Sequence, residues 1–390
     1  MSVLNTYYNL KGDRSVWLIV ALLSIFSLLI VYSTAGSAVY KYNTNHGTGY
    51  YLIRQIMFIG AGLTLMYMAY KTHYMIYAKL APILMIIAVP LLVYTALFGA
   101  EVNDASRWIK IPILDLTFQT SDFAKIALVL FVARALATKQ DYIKSFRSAF
   151  LPIIVPIIVF CALIAPSNLS TAALLFVTCF AMMFVGRISM KYVVLLTLLG
   201  ATTFYGIYKI GQKYPDHFRT ETWEKRVDKF LYSDGDFQVV QSKIAIAEGG
   251  MLGVGPGNSV QRNLLPYAYA DFIYAIICEE YGFIGGGMIL LMYLWLLIRT
   301  VSLVTRCPKT FGAMLAMGLT LNIVITAFAN IAVSVQLVPA TGLTLPMISM
   351  GGTSFLFTCI SFGIILSVSR FVEQSYEERI APEKIEDNAA

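Results

Sequence analysis

Three carboxylates lie close together in the stretch PYAYADFIYAIICEEYGFIGG, residues 266–286, within a chain that is mostly apolar. Asp271 precedes a run of uncharged, largely apolar residues, and Glu279 and Glu280 follow before a cluster of glycines. Charged residues inside a membrane span are energetically costly and usually mark a function. The stretch therefore raises the question of whether these acids catalyse a reaction, carry an ion or only stabilise the fold.

Asp271 is predicted to lie at the outer end of a span, where a long polar loop meets apolar sequence. An aspartate directly before a helix commonly caps its N-terminus by accepting a backbone N–H. A carboxylate partly withdrawn from water also has a raised pKa, which suits a general base. The two roles are compatible, and a base at this position could act on groups dissolved in water or carried by lipid.

Glu279 and Glu280 lie deeper in the same predicted helix. At ~1.5 Å per residue they are about 12–14 Å from Asp271 along the helix axis, which is too far to act on the same atom. Lys125, in the predicted fourth span, has the right charge to pair with them, and Asp122 lies one helical turn before it. We predict that Asp122, Lys125 and the two glutamates form a structural charge network. A path for protons or ions is the alternative.

The elements that position these residues are predicted to be membrane spans. The chain has 390 residues, of which 58% are hydrophobic and 13% charged, and its mean hydropathy is +0.71. Runs of roughly 20 apolar residues span a bilayer, and the first run is too long for a cleaved signal peptide. We predict an all-α, polytopic integral membrane protein. Its spans, about ten by this length criterion, lie near residues 16–35, 51–69, 78–99, 119–137, 149–166, 169–186, 192–212, 272–298, 311–335 and 350–369.

Lysine and arginine are concentrated in one set of the short loops, which the positive-inside rule assigns to the cytoplasm. Both termini are then cytoplasmic, and residues 213–271, between helices 7 and 8, form a long extracytoplasmic loop. Residues 371–390 are predicted to be a cytoplasmic tail, and residues 1–390 a single membrane domain. The formal net charge of +7 is explained by this orientation and does not indicate nucleic-acid binding.

Cysteine and histidine spacing does not indicate a disulfide or a metal site. The five cysteines show no CxxC spacing, and the three histidines lie far apart in the sequence. A zinc site needs four ligands, usually in closely spaced pairs. We therefore predict neither a zinc site nor a disulfide framework.

Polar segments between the spans are predicted to reach the membrane surface or a cavity. In NDASRWIK, residues 103–110, Trp108 suits the membrane interface and Arg107 could reach a phosphate head group. EGGMLGVGPGNS, residues 248–259, has glycines that permit a tight backbone and the close approach of a ligand, and a re-entrant or surface-hugging loop is predicted. PATGLTLPMISMGGTSF, residues 339–355, contains helix breakers, which are tolerated at membrane depth where the backbone lines a cavity.

Five motifs resemble, in order, those of the SEDS family (shape, elongation, division and sporulation) of multi-span peptidoglycan polymerases. They are RWI followed by FQTSDFAK, then SNLSTA, QSKIAIAEGGMLGVGPGNS, LPYAYADFIYAIICEEYGFIG and PATGLTLPMISMGGTS, and they extend over nearly the whole chain. The GNSVQ stretch and its spacing to LP resemble the division members more than the elongation members. The chain has Asn168 where the family pattern has Asp, and Tyr267 where it has Glu.

The resemblance implies a ten-helix membrane glycosyltransferase. Such an enzyme polymerises lipid II into β-1,4 glycan strands at the outer face of the cytoplasmic membrane, here in septal wall synthesis. Asp271 matches the family's catalytic aspartate. An elongation-specific polymerase and a lipid II flippase, which would need charge at the midplane, are the alternatives. Implied partners are lipid II, a class B penicillin-binding protein, other divisome proteins and membrane lipids.

The implied reaction also needs positive charge for the departing pyrophosphate. A divalent cation, Mg²⁺ or Mn²⁺, could supply part of it. The candidate substrate-binding residues are Arg107, Lys125, Arg219, Arg226, Lys243, Ser242, Ser259 and Ser349.

Overall fold

A computed structural model of the protein describes residues 11–42, 48–102, 105–111, 116–213, 230, 232, 236–265 and 268–387. Each predicted span corresponds to a long helix in it. These helices are α1 (Arg14–Tyr42), α2 (Thr48–Lys71), α3 (Tyr74–Phe98), α4 (Thr120–Thr138), α5 (Leu151–Ile164), α6 (Leu169–Val185), α7 (Met190–Lys213), α10 (Ile273–Arg306), α11 (Thr310–Ser334) and α12 (Thr353–Asp387). The short helices α8 (Phe237–Gly249) and α9 (Gln261–Leu264) lie between α7 and α10.

The length and hydropathy of the helices support a multi-pass membrane protein. Within the described residues, seven helices are long and apolar enough to cross a membrane, and α6 is a shorter apolar helix. Two details were not predicted. Helix α12 continues to Asp387, so the predicted tail from residue 371 begins as part of this helix. A π-helical turn, Phe146–Phe150, precedes α5.

The all-α prediction is correct for the bundle, but a small antiparallel sheet follows α3. Its strands are β1 (Ala100–Val102), β2 (Ala105–Ile111) and β3 (Leu116–Gln119), in the order β1-β2-β3. Trp108 pairs with Gln119, and Ile109 pairs with Phe118. The β-branched and aromatic residues of RWIKI and LTFQ suit a strand. The sheet leads directly into α4, which begins at Thr120.

Helix α11 is the centre of the bundle. It packs against α4, α6, α10 and α12, and 72% of its apolar span is buried.

The bundle has two opposite ends, which can be defined around α11. At one end, Gly12 and Asp13 donate backbone N–H bonds to side chains of α12. At the other end lie the starts of α4, α6, α10 and α12. Residues 12–13 and 369–373 therefore lie together at the first of these ends.

Helix α10 is broken at Gly282, whose φ of 68° lies in the left-handed region. The glycine-rich loop after α8 occupies the break. Val254 N donates to Glu279 O at 2.9 Å, and Phe283 N donates to Gly250 O at 2.8 Å. These bonds satisfy backbone groups that the interrupted helix leaves without partners. The glycines, which were expected to permit close approach of a ligand, thus permit close approach of α10.

Candidate active site

A cavity of about 320 Å³ opens where the starts of four helices meet. The sheet contributes Trp108, Thr117 and Gln119, and α4 contributes Asp122 and Lys125. The turn before α10 contributes Asp271. The remaining wall includes Arg54 of α2, Asn168 and Thr171 of α6, Asn322 and Thr326 of α11, and the irregular segment around Gly342–Gly352. Residues far apart in sequence thus form one polar chamber.

Asp271 lies in a turn and is half-buried at the wall of this chamber. It is not the helix cap that its position suggested. Helix α10 begins at Ile273, and the cap residue is Phe272, which makes no side-chain capping bond. Gly342, with a φ of 66°, lies beside the carboxylate, and a Cβ there would be in ordinary contact with Asp271 Oδ2, at 3.6 Å. The aspartate therefore lines the cavity with Gly342 as its neighbour.

The backbone around Asp271 is held by two buried side chains. Asn330 Nδ2 donates to Asp271 O at 2.8 Å and to Leu343 O at 2.6 Å. Ser349 Oγ donates to Ala270 O at 2.6 Å and accepts from Leu345 N at 2.8 Å. The segment that contains Gly342, predicted to line a cavity, does so, and it fixes the aspartate through these bonds. Ser349 therefore positions the backbone next to Asp271 and does not line the cavity.

Asp122 and Lys125 form an ion pair in the cavity wall, with Lys125 Nζ 2.7 Å from Asp122 Oδ1. Asp122 is 3% exposed and Lys125 is 15% exposed. The other oxygen, Asp122 Oδ2, is buried and has no hydrogen-bond partner among the described residues. A carboxylate oxygen with spare acceptor capacity and an ammonium group thus lie in the same chamber as Asp271.

The two glutamates are not part of that ion pair, so the predicted network of four residues is wrong. Glu279 accepts from Ser259 Oγ, from Val260 N at 2.7 Å and from Gln261 N at 3.2 Å. It therefore caps the start of α9.

Glu280 accepts from Ser33 Oγ of α1 and lies 4.0 Å from Arg262 Nη1. Both glutamates are 1% exposed, and neither lines the cavity. Their bonds place them against α1, α9 and the end of the glycine-rich loop and away from the cavity.

Several predicted substrate contacts lie elsewhere. Ser242 is fully buried, and its hydroxyl donates to Ser334 O at 2.8 Å. The Ser259 hydroxyl is bonded to Glu279. Neither serine lines the cavity, and Lys243 does not line it either. Arg107 belongs to β2, but its side chain is outside the described part of the structure. Arg219 and Arg226 lie outside the described residues altogether.

Sequence reasoning missed several residues of the chamber. Trp108 was predicted to anchor the chain in the membrane interface, yet it lines the cavity beside Gln119, its partner across the strands. Arg54 and Asn322 of the cavity wall were not singled out, and neither was Asn330, which holds the backbone of Asp271. Polar side chains within an apolar span were the available signal, because such groups usually face the bundle interior.

Comparison with known proteins gives the chain a family. The family model FTSW_RODA_SPOVE, described as "Cell cycle protein", matches residues 13–374. The chain belongs to the FtsW/RodA/SpoVE family. This confirms the resemblance to the SEDS polymerases that the five motifs suggested.

Curated members of the FtsW/RodA/SpoVE family match nearly end to end. The chain is 32% identical over 374 residues to stage V sporulation protein E of Bacillus subtilis strain 168, covering 92% of this chain and 97% of that protein. It is 31% identical over 366 residues to the probable peptidoglycan glycosyltransferase FtsW of Geobacter sp. strain M18, covering 92% of this chain and 96% of that protein.

Solved structures share the fold of this chain. A chain of a peptidoglycan synthase complex superposes with a TM-score of 0.72 at 23% identity, covering 93% of this chain and 98% of that chain. The rod shape determining protein RodA of Thermus thermophilus gives a TM-score of 0.66 at 22% identity, covering 92% of this chain and 97% of that chain. At such identities the likeness supports the helical fold alone.

Departures from the family's motif patterns fall partly in the chamber. Asn168, which stands where the pattern has Asp, is 5% exposed and lines the cavity. Its side chain accepts from Thr171 N at 3.2 Å and caps α6. An amide can cap a helix as well as a carboxylate can, so the cap is retained while one negative charge is absent. Tyr267 lies outside the described residues.

Proposed function

We propose that this protein is a peptidoglycan glycosyltransferase that polymerises lipid II into β-1,4 glycan strands. The observation that carries the proposal is the half-buried carboxylate of Asp271 in a chamber that also contains the ammonium group of Lys125. Family membership and relatives named as peptidoglycan glycosyltransferases support the same reaction. The cavity volume of about 320 Å³ is at the small end for ligand sites. The chamber would thus hold the reacting groups, with the rest of lipid II outside it.

In the proposed reaction, Asp271 accepts the proton of the 4-hydroxyl of the acceptor N-acetylglucosamine. The freed oxygen attacks the anomeric carbon of the donor N-acetylmuramic acid. A new C–O bond forms as the bond to the pyrophosphate oxygen breaks, and undecaprenyl pyrophosphate leaves with the bonding electrons. Attack from the face opposite the leaving group inverts the anomeric carbon, which yields the β-1,4 linkage. A general base of this kind typically contributes ~10²–10⁴-fold to the rate.

Negative charge on the departing pyrophosphate is stabilised by cations in the wall. Lys125 and Arg54 line the cavity with Asp271. Fixed cations placed where charge develops are worth more in a site that excludes water. Arg107, Arg219, Arg226 and Lys243 stay candidates for contacts with the remainder of the substrate.

A divalent cation fits this donor set when it is shared with pyrophosphate. Asp122, which has an unpartnered oxygen, and Asp271 are the carboxylates that would hold it. Magnesium commonly binds one or two carboxylates together with substrate phosphates and water. Within the described residues, no cluster of three or more acidic, cysteine or histidine ligands occurs, so a metal held by protein ligands alone has no support. When bound, the ion would neutralise charge on the pyrophosphate.

Polymerisation of lipid II by the purified full-length protein tests the function. Glycan strands should be detected in detergent, alone or after addition of a class B penicillin-binding protein. Absence of glycan under both conditions, with protein that is monodisperse and thermally stable, would reject the proposal. The variant Glu248→Gln serves as the matched control for variants of Asp271, because Glu248 is exposed and lies outside the cavity wall.

The proposed location is the cytoplasmic membrane at the division septum, with both termini in the cytoplasm and the 213–271 loop outside. Loop charge supports this orientation. Asn263, which is exposed, provides a test in a cysteine-free background. A cysteine at this position should react with an impermeant maleimide in intact spheroplasts. If labelling required lysis, the loop would lie in the cytoplasm, and the proposed extracytoplasmic site would be rejected.

A class B penicillin-binding protein is the proposed partner, with other divisome proteins around it. One structural neighbour comes from a complex that coordinates polymerization and crosslinking, which supports a partner of this class. Division is the proposed role because relatives named FtsW recur among the matches. An elongation role, as in RodA, is the alternative, and localisation of a fluorescent fusion to the septum or the side wall distinguishes the two.

A further inference from the structure

A second cavity, of about 370 Å³, lies at the end of the bundle opposite Asp271. We call it the basal pocket, and it is formed by residues 12–15, the last two turns of α10 and residues 369–376 of α12. Arg14, Arg299 and Arg306 line it, as do the acids Asp13 and Glu373. None of these residues lies in the chamber of Asp271.

The two acids of the basal pocket are engaged within its wall. The Asp13 carboxylate accepts from Arg299 Nε at 2.9 Å and lies 2.8 Å from Arg299 Nη2, in a two-pronged ion pair. Its other oxygen accepts from Ser15 N at 2.9 Å. Glu373 accepts the backbone N–H of Gly12. The negative charge is thus directed into the protein, where it joins the start of α1 to α10 and α12.

Arg306, like Arg14, is an exposed cation of this pocket. It is the last residue of α10, and it makes no ion pair or hydrogen bond with any of the described residues. Three arginines and two engaged carboxylates line the cavity, and the guanidinium group of Arg306 has no carboxylate partner among the described residues. Guanidinium groups bind phosphate oxygens through two parallel N–H bonds, so phosphate is the anion they match best. Ser302 and Tyr376 add hydroxyl groups to the wall.

We propose that the basal pocket binds a phosphate-bearing anion, namely the head group of an anionic phospholipid at the same membrane face. The pocket lies at the ends of two spanning helices, where head groups are found. Its wall also includes the apolar side chains of Leu303 and Val372, which suit the glycerol and upper acyl region. Basic pockets between helices at the cytoplasmic side are typical binding sites for anionic head groups. A soluble phosphate compound shares the recognition chemistry and is distinguished by the experiment.

Native mass spectrometry of the delipidated full-length protein in detergent tests the site. Dioleoylphosphatidylglycerol should bind more tightly than dioleoylphosphatidylcholine. Arg306→Gln should weaken phosphatidylglycerol binding by about tenfold or more, because charged hydrogen bonds are lost, and Arg306→Lys should retain part of it. Lys309→Gln is the matched control, since this exposed cation lies nearby but outside the pocket wall. The double variant Arg14→Gln/Arg306→Gln tests whether Arg14 compensates for the loss of Arg306.

A second arm uses sn-glycerol 3-phosphate and inorganic phosphate as competitors and as ligands in calorimetry. If neither compound displaces phosphatidylglycerol at millimolar concentration, the lipid is supported as the occupant. Arg306-dependent binding of these compounds, with phosphatidylglycerol binding equal in wild type and Arg306→Gln, assigns a soluble phosphate and overturns the lipid. If none of the probes distinguishes wild type from the double variant, while melting temperatures agree, the pocket is not a phosphate site.

Discussion

Two pairs of acidic residues in this protein have opposite surroundings, although all four are carboxylates within or next to the bundle. Asp271 and Asp122 line one polar cavity, together with Lys125. Glu279 and Glu280 are 1% exposed and are bonded to the loop that crosses the break in α10 and to α1. Charge inside a membrane protein therefore indicates a functional residue only when a ligand can reach it.

Hydrogen-bond satisfaction does not separate the two pairs. Asp122 Oδ2 and Glu280 Oε2 are both buried without a partner among the described residues. What separates them is whether the residue belongs to a cavity wall. Asp122 forms part of a cavity wall, whereas Glu280 lies against Ser33 and Arg262. The same residue type supports binding in the first environment and holds backbone segments together in the second.

The largest effect is expected for Asp271→Asn. The amide keeps the shape of the side chain but cannot accept the proton of the attacking hydroxyl. Lipid II polymerisation by the purified variant should fall by about 10²–10⁴-fold, with expression and membrane insertion unchanged. Glu248→Gln should polymerise normally in the same assay. Near-normal glycan synthesis by Asp271→Asn would place the base elsewhere and remove the distinction between the pairs.

A second large effect is expected for Lys125→Met, which removes a cation from the chamber and strands Asp122. Polymerisation should fall by about 10²-fold, as when one charge-stabilising donor is deleted. Breaking a buried pair costs ~3–5 kcal/mol of folding free energy, so the amount of folded protein should fall too. Adding Asp122→Asn should restore stability but leave polymerisation low. If activity returned with stability, the pair would be purely structural, like the glutamates.

An intermediate effect is expected for Asn330→Ala, which frees the backbone of Asp271 and of Leu343. The carboxylate then loses its fixed position, and kcat should fall by about tenfold, equivalent to one or two hydrogen bonds. The KM for lipid II should change little, because Asn330 does not line the cavity. Ser334→Ala, which removes a buried hydroxyl one turn further along α11, is the control. An equal loss of kcat in both variants would indicate general destabilisation.

The sequence predicts the bundle well because spanning helices depend on local composition. Runs of apolar residues must form helices in a bilayer, where every backbone group needs an internal partner. The break at Gly282 was not predicted, since it depends on a loop more than 20 residues earlier in the chain that supplies the missing backbone bonds. The small sheet was missed for a related reason, because strand pairing is a contact between segments.

The candidate site was predicted only in part. Motif resemblance identified Asp271, and charge within a span identified Lys125 and Asp122. The assignment of partners failed, since sequence separation does not reveal which charges meet. Lys125 was matched with the glutamates by sign, yet its partner is Asp122, three residues earlier on the same helix. Trp108 and Asn330 needed the folded arrangement before any role could be assigned.

The smallest effect on chemistry is expected for Glu280→Gln, which separates a polymerase from a flippase. A flippase would carry sugars and pyrophosphate past the deep acids, so removal of the charge would block transport. In the polymerase, Glu280 neutralises Arg262 at 4.0 Å and accepts from Ser33. Glu280→Gln should therefore lower accumulation by stranding Arg262, and Arg262→Gln should recover part of the loss. Lys125→Met should not recover the loss, because Lys125 pairs with Asp122.

Polymerisation in detergent distinguishes a polymerase from a flippase. A micelle does not separate two compartments, so lipid II cannot be flipped there. Activity per folded Glu280→Gln molecule should equal that of wild type, with folded protein quantified by size-exclusion chromatography. A loss of specific activity comparable to that of Lys125→Met would make the deep acids part of the chemistry. If the folded variant polymerised normally in detergent while cells failed to expose lipid II outside, the deep acids would serve transport. Retained activity with normal exposure leaves Glu279 and Glu280 as the carboxylates that hold the broken helix and its loop together.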